Sequence, residues 1–60
     1  MKGCRIIERR NVSDSRAVVL ARAGEIWLVY RERCGNLHMM TKCYSWRAAR
    51  EVFADYIRTA

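Results

Sequence analysis

The fold is decided by residues 16–44, RAVVLARAGEIWLVYRERCGNLHMMTKCY. β-Branched and apolar residues dominate from Arg16 to Ala23 and again from Ile26 to Glu32, the composition typical of strands. Between them, Gly24-Glu25 places glycine first in a two-residue turn. Strands joined by so short a turn pair antiparallel, so the sequence predicts a hairpin here.

A second turn and a third strand follow the hairpin. Cys34-Gly35-Asn36 supplies the turn residues, and Leu37 to Tyr44 continues as a strand. On the N-terminal side, Cys4 to Glu8 is a candidate short fourth strand. The polar stretch Asn11 to Ser15 marks a loop before Arg16. The sequence therefore predicts an antiparallel sheet of three strands, about 16–23, 26–32 and 37–44, with a short fourth strand as an option.

A helix is predicted over residues 46–58. Ser45 stands where an N-cap belongs. After it, apolar residues recur at helical spacing and form one stripe: Ala49, Val52, Phe53, Tyr56, Ile57 and Ala60. Because such a helix is amphipathic, it must cover something apolar, and the sheet is the candidate. We expect an α+β fold, one domain over residues 1–60, with the helix packed on one face of the sheet.

Two-residue turns determine which strand side chains share a face, unless a bulge intervenes. One face then carries Ala17, Val19, Ala21, Ile26, Leu28, Tyr30, Leu37, Met39 and Cys43. We expect the helix to cover this face, because its alanines allow a close approach. The opposite face carries Arg16, Val18, Leu20, Arg22, Trp27, Val29, Arg31, His38, Met40, Lys42 and Tyr44.

Positive charge is the main compositional feature. Lys and Arg number 12 against 6 Asp and Glu, which gives a net charge of +6, and arginine supplies most of it. Such a surface favours polyanionic partners, although a solvated basic surface has the same composition. Residues 1–15 carry charges and lack an apolar core segment, so no signal peptide is expected. No apolar run approaches the ~20 residues that span a bilayer, so no membrane partner is expected. The odd number of cysteines favours reduced thiols and a cytoplasmic location, in the host cell if the protein is phage-encoded.

Motifs for catalysis or metal binding are not apparent. The sequence has no nucleophile elbow, phosphate-binding glycine loop or zinc-protease motif, so no enzyme activity and no cofactor are expected. Cys4, Cys34, His38 and Cys43 match a zinc site in number. Zinc is nevertheless not expected, because Cys34 and Cys43 lie about 30 Å apart along an extended strand.

The predicted exposed face is the candidate site. Its centre is apolar and aromatic and its rim is cationic, whereas a solvated sheet face is normally polar. Two structural alternatives compete with a binding site: the N-terminal segment around Ile6 and Ile7 covers the face, or a second copy does so in a homodimer. The candidate residues for binding nucleic acid or another partner are Arg16, Arg22, Trp27, Arg31, His38, Met40, Lys42 and Tyr44.

The β-β-β-α pattern from Arg16 to Ile57 resembles small phage and mobile-element proteins. Trp27-Leu28-Val29-Tyr30-Arg31 and Tyr44-Ser45-Trp46-Arg47-Ala48-Ala49 are similar in placement to segments of AP2-like, integrase arm-type DNA-binding domains. That resemblance implies an exposed sheet face in the DNA major groove, contacting it through Arg16, Arg22, Trp27, Arg31 and Lys42. The same elements also resemble compact phage-encoded inhibitors, including some type I anti-CRISPR proteins.

Two functions remain open at this point. The first is a small non-catalytic binding protein that acts through the basic, aromatic sheet face on nucleic acid or a nucleoprotein complex. The second is a phage-encoded inhibitor that docks on a host protein complex through the apolar centre of that face. Likeness at the level of fold does not decide between them.

Overall fold

In the computed structural model, which describes residues 3–59, the chain forms one antiparallel sheet and one helix. The strands are β1 (Cys4–Asn11), β2 (Arg16–Ala23), β3 (Ile26–Arg33) and β4 (Asn36–Cys43), side by side in chain order, and the helix is α1 (Trp46–Arg58). The α+β class and the C-terminal helix are confirmed. The sheet has a full fourth strand where the sequence predicted at most a short one.

Both hairpin turns contain left-handed residues. Gly24 has φ 63° at the first position of the β2–β3 turn, as its place in the sequence predicts. In the β3–β4 turn, Cys34 and Gly35 have φ 54° and 81°, the pattern of a type I′ turn. Because this loop has only two residues, Asn36 pairs with Arg33 and begins β4 one position earlier than predicted.

A bulge in β4 changes which side chains share a face. Glu32 pairs with Leu37, but Arg31 pairs with Met39, so His38 is an extra residue without a pairing partner. An insertion of one residue inverts the alternation beyond it. Cys43 therefore lies opposite Trp27, and the prediction that Met39 and Cys43 share a face with Leu28 and Tyr30 is wrong.

The N-terminal segment extends the sheet. β1 pairs antiparallel with β2, from Cys4 opposite Ala23 to Asn11 opposite Ala17, with an irregularity between Ile6 and Glu8. Ile6 and Ile7 are both exposed. The alternative in which this segment folds over a sheet face is therefore wrong, since β1 occupies an edge instead.

The helix covers the face that was predicted to be exposed. Val18, Leu20 and Val29 are fully buried beneath it and form the core with Cys43, Ala49 and Phe53. The prediction that the helix covers Ala17, Val19 and Leu28 is wrong. One physical reason is the bulge, because it turns Cys43, two residues before the N-cap, towards the side of Trp27.

The stripe predicted on α1 is the buried surface of the helix. Ala49 and Phe53 are buried, and Val52, Tyr56 and Ile57 pack partly buried against the same core. The hydroxyl groups of Thr41 and Tyr56 are hydrogen-bonded, which connects the helix to β4. Ala60, the last residue of the predicted stripe, lies outside the described residues.

Candidate nucleic-acid interface

The sheet has two sides, which differ in charge. We call the surface covered by α1, together with the helix itself, the helix side, and the uncovered surface of the sheet the open face. Among residues 3–59, the strand register places only two cationic residues on the open face, Arg9 and Lys42. The register and the outer surface of α1 place every other arginine of residues 3–59 on the helix side: Arg5, Arg10, Arg16, Arg22, Arg31, Arg33, Arg47, Arg50 and Arg58.

The predicted site residues are divided between these surfaces. Arg16, Arg22, Trp27 and Arg31 lie on the helix side, whereas Met40 and Lys42 lie on the open face. His38 is the bulge residue of β4, and Tyr44 lies between β4 and α1. The AP2-like resemblance assigned five residues to an exposed, groove-facing sheet. Four of them lie on the side that the helix covers, and the fifth, Lys42, lies on the open face.

Two tryptophans and two arginines form a stack where α1 begins. The ring centroids of Trp27 and Trp46 are 6.4 Å apart at an interplanar angle of 53°, within the range of favourable aromatic pairs. The Arg22 guanidinium lies 5.2 Å from the Trp27 ring centroid, and that of Arg50 lies 5.9 Å from Trp46. Arg22 Nε also donates to the Gly24 carbonyl at 3.0 Å. We call these four residues the arginine–tryptophan stack.

The start of α1 positions Trp46 and Arg50, the two residues that the helix contributes to this stack. Ser45 has extended backbone angles, and its Oγ accepts the Ala48 N–H at 3.1 Å, so the predicted N-cap is confirmed. Trp46 is the first helical residue and is 44% exposed, while Tyr44, two positions earlier, is 76% exposed. The first turn has no acidic residue, so the positive end of the helix dipole adds to the charge of Arg47.

A second cationic group lies at the other end of the helix. The Arg31 guanidinium lies 4.7 Å from the Tyr56 ring centroid, and its Nη2 donates to Thr59 Oγ1 at 2.7 Å. Its Nε is buried without a hydrogen-bond partner among the described residues. Beside it is a cleft that is also lined by Arg16, Arg33 and His38 and by Glu32, which is paired with Arg9. Along β3, four residues separate Trp27 from Arg31, so the two cationic groups lie about 13 Å apart.

Few of the arginines are neutralised by carboxylates. Within residues 3–59, the ion pairs are Arg9 with Glu32, Arg10 with Glu8, and Arg58 with Asp55. The hydrogen bond to Glu32 raises the pKa of Arg9 above its ordinary value, so Arg9 stays charged. Arginines without a carboxylate partner in this part of the chain are Arg5, Arg16, Arg22, Arg31, Arg33, Arg47 and Arg50.

Trp46 and Arg50 were not among the predicted site residues. The signal that would have found Trp46 is its spacing, three residues before Ala49 and seven before Phe53, which extends the apolar stripe to the first helical turn. Because the first helical turn lies at the edge of the core, an aromatic residue there is only partly covered. Arg50, one turn further along, lies over its ring.

The cysteines do not converge. Cys4 is partly buried, Cys34 exposed and Cys43 buried, and all three are free thiols. Burial raises the pKa of the Cys43 thiol. In the part of the chain that the structure describes, no three His, Cys, Asp or Glu side chains lie close enough together to hold a metal ion.

Comparisons with protein families, curated proteins and solved structures found no match to this chain. Within residues 3–59, the helix is too short and too polar to span a bilayer.

Proposed function

We propose that the chain is a non-catalytic protein that binds nucleic acid on its helix side. The observation that supports this proposal best is the arginine–tryptophan stack, which combines exposed aromatic surface with cations at the positive end of a helix. The sheet-face mode expected from the sequence is revised accordingly, because within residues 3–59 the open face has only Arg9 and Lys42 as cations. The free thiols fit a reducing compartment such as the cytoplasm.

Phosphate is the first chemical group that this surface fits. Arginine makes bidentate contacts to phosphate oxygens, and neutralising several phosphates releases counterions. Arg22, Arg47 and Arg50 lie near the start of the helix and have no carboxylate partner within residues 3–59. The cleft beside Arg31 offers further cations about 13 Å away, so a short strand of nucleic acid would contact both groups.

Unpaired bases are the second group. Trp46 and Tyr44 expose aromatic rings beside these cations. A base stacked on an aromatic side chain contributes about 1–3 kcal/mol, largely independent of sequence. In a duplex the faces of the bases are hidden. We therefore propose single-stranded or locally unpaired nucleic acid as the preferred ligand, rather than a major groove.

A second candidate function rests on a different observation. The open face is apolar and exposes Ile6, Leu37 and Met40. Surfaces of this kind occur where proteins dock, so a phage-encoded inhibitor of the anti-CRISPR type would use this face on a host protein complex. The two candidates use opposite surfaces of the sheet and can be separated by mutation.

The proposal is tested by titrating labelled single strands and duplexes of equal length at low and at physiological salt. We expect tighter binding to single strands, with log affinity falling by about 0.7 per phosphate contact per log unit of salt. Trp46→Ala should weaken binding about 5- to 150-fold, the loss of one stacked base. Tyr44→Ala is the companion variant, because its ring lies largely outside the protein and its loss should leave the fold intact.

Arg50→Ala and Lys42→Ala form a matched pair. Each removes one exposed positive charge, the first from the helix side and the second from the open face. We expect Arg50→Ala to reduce the salt slope by about 0.7 and Lys42→Ala to leave it unchanged. Equal losses in both variants would contradict binding on the helix side. No binding at low salt would contradict the whole proposal.

A further inference from the structure

The cleft beside Arg31 collects three arginines at one end of the sheet. Arg16 begins β2 and lies directly opposite Arg33 at the end of β3, while Arg31 is two residues back along β3 on the same face. Side chains directly opposite one another, or two positions apart on one strand, are close neighbours. The cleft has a volume of about 170 Å³, and its other polar or partly buried walls are Val12, His38 and Thr59.

The charge of this cleft is not neutralised by the protein. Arg16, Arg31 and Arg33 have no carboxylate partner within residues 3–59. Glu32 also borders the cleft, but its carboxylate is paired with Arg9. Like charges directly opposite on neighbouring strands destabilise a sheet, so the pairing of Arg16 with Arg33 has a cost in free energy. A bound anion would offset that cost.

Arg31 is positioned by the end of the helix. Its guanidinium lies 4.7 Å from the Tyr56 ring centroid, and its Nη2 donates to Thr59 Oγ1 at 2.7 Å. Its Nε is buried and has no hydrogen-bond acceptor among the described residues. Because buried donors normally have an acceptor, this N–H calls for one that residues 3–59 do not supply. An oxyanion in the adjoining cleft is an acceptor of the right charge.

Three arginines suit a phosphate monoester better than a phosphodiester within a strand. A monoester has about −1.5 to −2 charges at pH 7 and three strong acceptor oxygens, and it forms charge-assisted hydrogen bonds with clustered arginines. Each internal phosphate of a nucleic acid has a single negative charge. It also has one acceptor oxygen fewer, because two of its oxygens are esterified. The greater charge and the extra acceptor favour the phosphate at the end of a strand.

The position of the cleft also fits the end of a strand. It lies where β3 ends, about 13 Å along that strand from the arginine–tryptophan stack. At a rise of ~3.4 Å per stacked nucleotide, about four nucleotides span this distance. We propose that the cleft binds the terminal phosphate of a single strand whose bases lie against the arginine–tryptophan stack. This site rests on the proposed function, and it makes the end of the strand the preferred part of the ligand.

The experiment compares single strands of about eight nucleotides, twice the span of the surface, that differ only at their ends. One strand has a 5′-phosphate, one a 3′-phosphate and one hydroxyl groups at both ends. We expect a phosphate at one of the two ends to tighten binding roughly 10- to 100-fold at physiological salt, the effect of one added charge-assisted hydrogen bond. The end that gives this gain identifies the direction in which the strand runs.

Two double variants locate the gain. Arg16→Gln with Arg33→Gln removes two exposed charges from the cleft and should reduce the gain to about twofold or less. Arg5→Gln with Arg47→Gln is the matched control, because it removes two exposed charges elsewhere on the helix side. The control should weaken the binding of all three strands alike and preserve the gain. A gain that survives Arg16→Gln with Arg33→Gln would overturn the terminal site, because it would come from overall attraction.

Inorganic phosphate tests the chemistry of the cleft separately from the strand. At millimolar concentration it should remove the gain of the phosphorylated strand and leave the hydroxyl-ended strand bound. Equal displacement of both strands would overturn the terminal site. If hydroxyl-ended strands bind and neither terminal phosphate improves the affinity, strand binding stands and the terminal site is wrong. If no strand binds at low salt, the proposed function is wrong and the terminal site with it.

Discussion

The two surfaces of the sheet are both apolar at their centres, yet only one is covered. Val18, Leu20 and Val29 on the helix side are sealed beneath Ala49 and Phe53. On the open face Leu28 and Tyr30 remain partly exposed. The surface that the helix covers is, moreover, the one with the arginines. Apolar content alone therefore does not determine which surface becomes the core.

Arginines at the rim do not prevent burial of the centre. The guanidinium groups of Arg22 and Arg31 lie over the rings of Trp27 and Tyr56, at 5.2 and 4.7 Å from the centroids. Long side chains can cover apolar surface with their stems while the charge stays at the edge. The arginines that were expected to mark an exposed sheet face instead surround the helix that covers it.

Phe53→Ala should have the largest effect on folding. Phe53 is the largest side chain that α1 places in the core, and its truncation should cost about 3–5 kcal/mol. The total stability of a 60-residue domain is roughly 3–9 kcal/mol, so this loss removes between about a third and all of it. Urea denaturation followed by circular dichroism measures the loss. A midpoint equal to that of wild type would contradict the core described above.

Leu20→Ala and Leu28→Ala compare the two surfaces directly, because the same substitution is made on each. We expect Leu20→Ala to cost about 2–5 kcal/mol, since Leu20 is fully buried under the helix. Leu28→Ala should cost about 1 kcal/mol or less in the monomer, because its side chain is already partly exposed. Denaturation at low protein concentration makes the measurement. A larger loss for Leu28→Ala would place the helix on the other surface.

Ser45→Ala should have a smaller effect, about 1 kcal/mol, by removing the acceptor for the Ala48 N–H. Ser15→Ala is the control, because Ser15 contributes only its backbone carbonyl, to the Cys34 N–H. Thermal melting of both variants checks the difference. Equal melting temperatures for the two variants would contradict the role of the cap.

The cysteines should report the same asymmetry by their reactivity. Cys34 is exposed, whereas Cys43 is buried on the helix side. Burial limits access of the reagent to Cys43. It also raises the pKa of the Cys43 thiol, so a smaller fraction is the reactive thiolate at pH 8. We expect Cys43 to react at least ~10-fold more slowly than Cys34, measured by mass spectrometry of the intact chain. Equal rates would contradict the burial of Cys43.

The local elements of the fold could be predicted from the sequence. β-Branched and apolar composition predicted β2 and β3, Gly24-Glu25 predicted the turn between them, and Ser45 with the apolar stripe predicted α1. β1 was harder to recognise because its polar and charged residues, from Glu8 to Asn11, resemble a loop. It nevertheless pairs with β2 along its length.

The choice of surface could not be predicted, and one reason is the position of a single residue. Beyond the His38 bulge, each β4 side chain lies on the opposite face from the one that a regular strand would give it. No residue near His38 signals this bulge in the sequence. For the candidate site, Arg22 and Trp27 were selected for a sheet face that proved to be covered. They enter the arginine–tryptophan stack only because α1 brings Trp46 and Arg50 to them.

Amide chemical shifts, measured as a short single-stranded oligonucleotide is added, test the central claim most directly. We expect the largest changes from Tyr44 to Arg50, at Arg22, and at the indole N–H groups of Trp27 and Trp46. The open-face residues Ile6, Leu28 and Lys42 should change little. The reverse pattern, with changes concentrated at Ile6, Leu28 and Lys42, would contradict nucleic-acid binding on the helix side.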